Sequence, residues 1–156
     1  MNRLEWRVTA SLAAIYAVRM LGLFMILPVF TLYAESLPGY SAALAGLAIG
    51  IYGLTQATFQ IPLGILSDKV GRKPVIVGGL LVFALGSIIA AMAHSLVGII
   101  IGRAIQGMGA VAGPTMALAA DLTREENRTR IMAIIGMTIG LSFMAGMVLG
   151  PLINQY

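Results

Sequence analysis

The sequence predicts an all-α membrane protein with five transmembrane helices and a cytoplasmic N-terminus, and three observations carry that prediction. Of the 156 residues, 59% are hydrophobic and only 10% are charged, with a mean hydropathy of +0.94, a balance far from that of a soluble domain. Charge is absent from residues 36–67 and again from residues 74–102, and runs of that length exceed the roughly 20 apolar residues that cross a hydrocarbon core about 30 Å thick. Basic residues also gather at every second break between runs, as the positive-inside rule describes for cytoplasmic loops.

Taken in order, the five spans are expected at about residues 8–33, 41–67, 74–93, 96–120 and 130–153, bounds that carry the usual margin of ~2–4 residues. Transmembrane strands would not run so long without alternation. Pro38-Gly39 is a turn signal before the second span, Pro74 suits the first position of the third, and Thr123 with Glu126 reads as a capping box ahead of the fifth. The first span follows Arg3 and Arg7 as a signal peptide would, but it is too long for one and contains Arg19.

Arg3 and Arg7 precede the first span, Lys69, Arg72 and Lys73 separate the second from the third, and Arg124, Arg128 and Arg130 separate the fourth from the fifth. All eight cations outside the spans therefore belong to one face, taken as cytoplasmic, while Glu35 and His94 mark the other. The pI near 9.9 follows from this topology and calls for no nucleic-acid partner. Without cysteine and with a single histidine, the chain has neither disulfides nor thiolate metal sites. It carries no HExxH, no G-x-S-x-G and no P-loop. Gly107-x-Gly109 lies within an apolar span with no strand before it, unlike a dinucleotide loop. Neither an enzyme nor a cofactor is expected.

Charge returns abruptly in the stretch 64–74, which places Asp68, Lys69, Arg72 and Lys73 within six residues. Asp68 is expected just after the C-terminal end of the second helix, where the helix dipole disfavours a carboxylate and something must compensate it. Arg72 stands four residues on, and Gly71 allows the backbone to fold it back.

The ordered set Gly64-x-x-x-Asp68-Lys69-x-Gly71-Arg72-Lys73 resembles the signature loop between the second and third helices of the major facilitator superfamily. Arg103-x-x-Gln106-Gly107-x-Gly109-Ala110 is similar to that family's fourth-helix motif, and Gly146-x-x-x-Gly150-Pro151 resembles the fifth-helix motif of its drug/proton antiporter branch. The fifth-helix motif departs from the family at Ser142 and at Asn154-Gln155. The resemblance implies an incomplete N-terminal six-helix half, with a C-terminal half as partner in the same transporter. It further implies a secondary transporter that works by alternating access in a bacterial inner membrane, with protons and a small organic molecule or drug as its partners. These residues alone would then not transport. An uptake symporter of the same superfamily, or a truncated helix scaffold without transport, are the alternatives. In the family, the carboxylate corresponding to Asp68 meets a helix N-terminus in the other half and locks the outward-open state. Arg72 would bridge Asp68 to Asp121, a geometry that suits a bidentate Arg better than Lys.

Arg19 and Arg103 lie inside spans, where an Arg costs at least about 2.5–3.5 kcal/mol, so both are expected to face a water-filled cavity rather than lipid, with snorkelling or a structural hydrogen bond to backbone carbonyls as the alternative. No acid lies deep in any span, so the chain offers no obvious proton carrier; the antiporter branch often has an acid in the first helix, where this chain has Arg19. Tyr52, Gln56 and Gln60 recur every four residues, a polar stripe that reads either as cavity lining or as helix-to-helix hydrogen bonding. With Gln106 and the two arginines they complete the expected cavity set. Among the 19 glycines, the pairs Gly46/Gly50, Gly98/Gly102, Gly109/Gly113, Gly136/Gly140 and Gly146/Gly150 have the spacing of close helix packing. Gly113-Pro114 and Gly150-Pro151 are expected to bend their helices, because proline removes a backbone hydrogen bond. The third span, almost without polar residues, is expected to face lipid.

Overall fold

The computed structural model describes residues 1–109 and 111–155, without the side chains of residues 26–29 and 31. Ala110, the last residue of the fourth-helix motif, lies outside the described residues. Six helices follow in order: α1 (Arg3–Glu35), α2 (Ala42–Val70), α3 (Arg72–Met92), α4 (Leu96–Met108), α5 (Ala112–Asp121) and α6 (Glu125–Asn154). Five stretches are long and apolar enough to cross a membrane, with α4 and α5 together making one. The chain divides into two compact units, residues 1–32 with 116–156, and residues 33–115.

In the second unit, Ser41 caps α2 by accepting from the Leu44 N–H at 3.1 Å, and Ser95 caps α4 by accepting from Gly98 at 3.2 Å. A Cβ on Gly102 would lie 2.6 Å from the Ala90 nitrogen, while one on Gly107 would lie 2.5 Å from the Tyr52 carbonyl oxygen. These near approaches set α4 antiparallel to α3 and parallel to α2. Helix α4 is consequently the most buried part of this unit, with Leu96, Ile99, Gly102, Arg103, Gln106 and Gly107 all inside. The outer face of α3 presents Val77, Leu81, Leu85, Ile88 and Met92, each more than half exposed. An apolar stripe of this size is a liability in water and suits contact with hydrocarbon or with another apolar surface.

In the first unit, α1 and α6 run parallel. Ser142 Oγ reaches the Ala17 carbonyl at 3.4 Å, and Phe24 meets Phe143 edge-on at 5.0 Å. A Cβ on Gly146 would lie 2.8 Å from the Phe24 Cβ. Helix α1 begins at Arg3, five residues before the expected start of the span, because Asn2 and Glu5 form a reciprocal capping box: the Glu5 N–H donates to Asn2 Oδ1 at 2.8 Å and the Asn2 N–H to Glu5 Oε2 at 2.9 Å.

Three expectations need correction. The fourth span is two helices, α4 ending at Met108 and α5 beginning at Ala112, with Gly109 and Val111 outside helix; the break lies ahead of Pro114, in a stretch where glycines weaken the ladder. The Thr123–Glu126 capping box does not form: Thr123 Oγ1 donates back to the Ala119 carbonyl at 2.6 Å, and Arg124 occupies the cap position without a side-chain bond. Of the glycine pairs, Gly46/Gly50 and Gly136/Gly140 have open space at their Cβ positions, so they bring no helices together among the described residues.

Candidate functional site: the α2–α3 corner and the α4 arginine

The charged stretch is a corner rather than a loop. Helix α2 extends through Val70 and α3 starts at Arg72, leaving Gly71 as the sole residue between them, so Asp68 and Lys69 belong to the last turn of α2. Gly71 sits at φ 105, ψ 154, backbone open essentially to glycine alone. Its N–H closes α2 by donating to the Ser67 carbonyl at 3.1 Å. Replacing Gly71 by Ala is therefore expected to destabilise the corner by about 1–3 kcal/mol, read as a lower unfolding midpoint in detergent.

This fold brings Arg72 back over α2. Its guanidinium forms an ion pair with Asp68 through Nη1, and Nη1 also donates to Ser67 Oγ at 2.6 Å. Ser67 Oγ in turn donates to the Gly64 carbonyl at 2.7 Å. Local compensation for Asp68 is thus present one turn away, in addition to the distant helix that the family resemblance implies. The Arg72 side chain is 21% exposed and that of Asp68 61%, so the arginine is held and the carboxylate keeps an open side. Lys69 and Lys73 are exposed, and a Cβ on Gly64 would meet nothing within 4 Å. Asp121, at the end of α5, belongs to the other compact unit.

The expected cavity set separates. Arg103, Gln106 and Tyr52 are 5%, 3% and 6% exposed and are turned toward one another between α2, α3 and α4. Arg103 Nε donates to the Ala48 carbonyl at 3.3 Å, its Nη1 donates to Gln106 Oε1 at 3.0 Å, and Gln106 Nε2 donates to Ser87 Oγ at 2.6 Å. The Arg103 guanidinium also lies 4.8 Å from the centre of the Tyr52 ring, within cation–π range. These residues cross-link three helices instead of lining water, because an arginine at this depth is stabilised only where neighbouring carbonyls, amides and π faces satisfy it. Arg103→Lys, which cannot serve the Ala48 carbonyl and Gln106 through one planar fork, is expected to cost about 1–3 kcal/mol of stability, measured by thermal unfolding. Gln56 is half-buried and Gln60 exposed, so the stripe does not act as a unit; Arg19 is buried in α1. Gly146 and Gly150 are buried in α6 and Pro114 is buried in α5. A Cβ on Gly113 would lie 3.7 Å from Gln60 Cγ. An open groove of about 310 Å³ runs between α1 and α6, walled by Ala17, Leu21, Leu141 and Ala145. None of the expected polar residues lines it.

Sequence reasoning missed Glu5. It is 2% exposed and accepts hydrogen bonds from Arg124 and Asn127, and its one local signal was the Asn-x-x-Glu spacing at the start of α1.

The family model "Major Facilitator Superfamily" matches residues 12–156. The chain is 61% identical to the "Inner membrane transport protein YajR" of Escherichia coli (strain K12), over 97% of this chain and 33% of that protein. It is 36% identical to the "Tetracycline resistance protein, class H" of Pasteurella multocida, over 86% of this chain and 34% of the relative. Identity with the "Multidrug resistance protein MdtH" of Aeromonas salmonicida is 34%, over 83% and 33% respectively. The chain thus spans about a third of the length of these relatives. With its all-helical fold, its five apolar spans and the charged corner at Asp68 and Arg72, the chain belongs to the major facilitator superfamily, a family of membrane transport proteins rather than enzymes.

Proposed function

We propose that the chain is the incomplete N-terminal half of a secondary active transporter that exports drugs or other small organic molecules by proton-coupled alternating access. The observation that carries this reading is the Asp68 carboxylate, held from one side by Arg72 and open on the other. In this reading the open side meets the positive N-terminus of a helix in the C-terminal half when the transporter faces outward, and Gly64, open at its Cβ position, lets that helix approach. Arg72 then bridges Asp68 to Asp121 as a charge switch, while Gly71 and Lys73 keep the corner tight and basic. The names of the resistance relatives support drug export, and the clustering of Lys69, Arg72 and Lys73 supports a cytoplasmic position for this corner and for the N-terminus in a bacterial inner membrane. Arg19 faces the substrate path; Gly113-Pro114 and Gly150-Pro151 provide give in the moving helices.

The test is flux through the full-length protein in proteoliposomes, with an imposed pH gradient and a panel of cationic, neutral and anionic drugs. Gradient-driven movement of at least one compound supports the reading. Movement that ignores the gradient removes proton coupling, and accumulation in the uptake direction replaces export by symport.

A further inference from the structure

Glu5 is a buried carboxylate that the transport reading does not use, and it ends two helices at once. Both N-termini in the first unit, that of α1 and that of α6, converge on it. Its Oε2 accepts from the Asn2 N–H at 2.9 Å. Its Oε1 accepts from the Arg124 N–H at 3.1 Å and from Arg124 Nε at 3.4 Å. Oε2 takes Arg124 Nη2 at 3.4 Å, and Asn127 Nδ2 lies 3.2 Å from both oxygens. A carboxylate that is 2% exposed would be strongly destabilising without such partners, and charge-assisted bonds are the ones that can offset its burial. The N-terminus of α6 lacks a side-chain cap of its own, so this role falls to a residue 119 positions away.

The turn that Glu5 grips is the one that follows Asp121. It comprises residues 122–124 and is tied at its other end by Thr123 Oγ1 on the Ala119 carbonyl and by Arg128 Nε on the Ala120 carbonyl, at 2.6 and 3.2 Å. A segment so short, anchored to α5 behind and to Glu5 ahead, has little freedom left. Glu126 also reaches Arg124, at 3.0 Å, but from the solvent side and with 68% of its side chain exposed, so it adds little.

We propose that Glu5 is a positioning residue for the charge switch: from the start of α1 it fixes the α5–α6 turn, and through that turn it sets the place of Asp121. The inference rests on the transport reading for its consequence, and on geometry alone for the clasp. In the full-length protein in lipid nanodiscs, Glu5→Gln is expected to speed amide hydrogen exchange over residues 121–128 by at least about tenfold, as the loss of charge-assisted hydrogen bonds would. Asn127→Ala, which leaves the carboxylate its other partners, is expected to give a smaller rise, about threefold. Glu126→Gln is expected to leave exchange unchanged. In flux measurements on equal amounts of folded protein, Glu5→Gln lowers turnover while KM holds, whereas a purely structural role would lower only the amount of folded protein. Exchange in Glu5→Gln and Asn127→Ala equal to wild type overturns the clasp, and turnover per folded molecule equal to wild type overturns its role in the charge switch. Wild-type protein that moves no compound overturns the transport reading instead, while the exchange comparison still decides whether Glu5 holds the turn.

Discussion

Asp68→Asn in the full-length protein is expected to insert normally, to unfold at nearly the wild-type temperature, and to lose at least about tenfold in transport rate, within the 5–150-fold range that a coupling energy of 1–3 kcal/mol produces. The two halves of that expectation come from different magnitudes. Asp68 is 61% exposed and its partner Arg72 is one helical turn away, and an exposed pair of this kind contributes only about 0–1 kcal/mol to stability. Asparagine keeps the shape and removes the charge, so the corner persists while its attraction to an electropositive helix end is lost. Transport rates are to be compared at matched membrane levels; wild-type flux from the variant would remove Asp68 from the gate.

Gly102→Leu is expected to have the largest effect on stability. A Cβ there would lie 2.6 Å from the Ala90 nitrogen and 2.7 and 2.8 Å from the Ala90 Cβ and Cα. These are backbone or rigid atoms, so α3 and α4 must part. Leucine is an excellent helix former, which isolates the packing cost from helix propensity. Overpacking of this kind costs about 3 kcal/mol, and the Arg103, Gln106 and Ser87 bonds that cross the same gap are strained with it. A fall of the unfolding midpoint by roughly 6 °C or more is the expected readout. Gly140→Ala is the comparison, since its Cβ position is open among the described residues. Equal midpoints for both variants would contradict the close α3–α4 crossing.

The helical spans were legible because charge is excluded over whole membrane widths, a one-dimensional signal that survives without knowledge of contacts. The corner was legible for a related reason: Gly71 and Arg72 act on residues within five positions, so spacing alone brought Arg72 near Asp68. What spacing could not supply was the direction of a helix face. Tyr52, Gln56 and Gln60 share a stripe, yet Tyr52 is covered by Arg103 of α4 while Gln60 is exposed, and only the α2–α4 packing decides between them. Arg103 was expected at a water-filled cavity, with a bond to backbone carbonyls as the alternative; carbonyls such as that of Ala48 are present at every residue, so spacing alone does not decide between the two. Glu5 was missed on the same principle, its partners lying 119 and 122 positions away. The break in the fourth span includes Gly109 and Val111, while Pro114 lies in the first turn of α5, where a helix tolerates proline.

The measurement that bears most directly on the whole account is side-specific labelling of single cysteines placed at Lys69 and at His94 in the full-length protein, in intact cells with a membrane-impermeant thiol reagent. Both positions are exposed and stand at opposite ends of the α2–α3 pair. The account expects position 94 to react from outside and position 69 only after the membrane is permeabilised. Reaction of both from the same side would contradict the crossing of the bilayer on which the corner, its orientation and its role in transport depend.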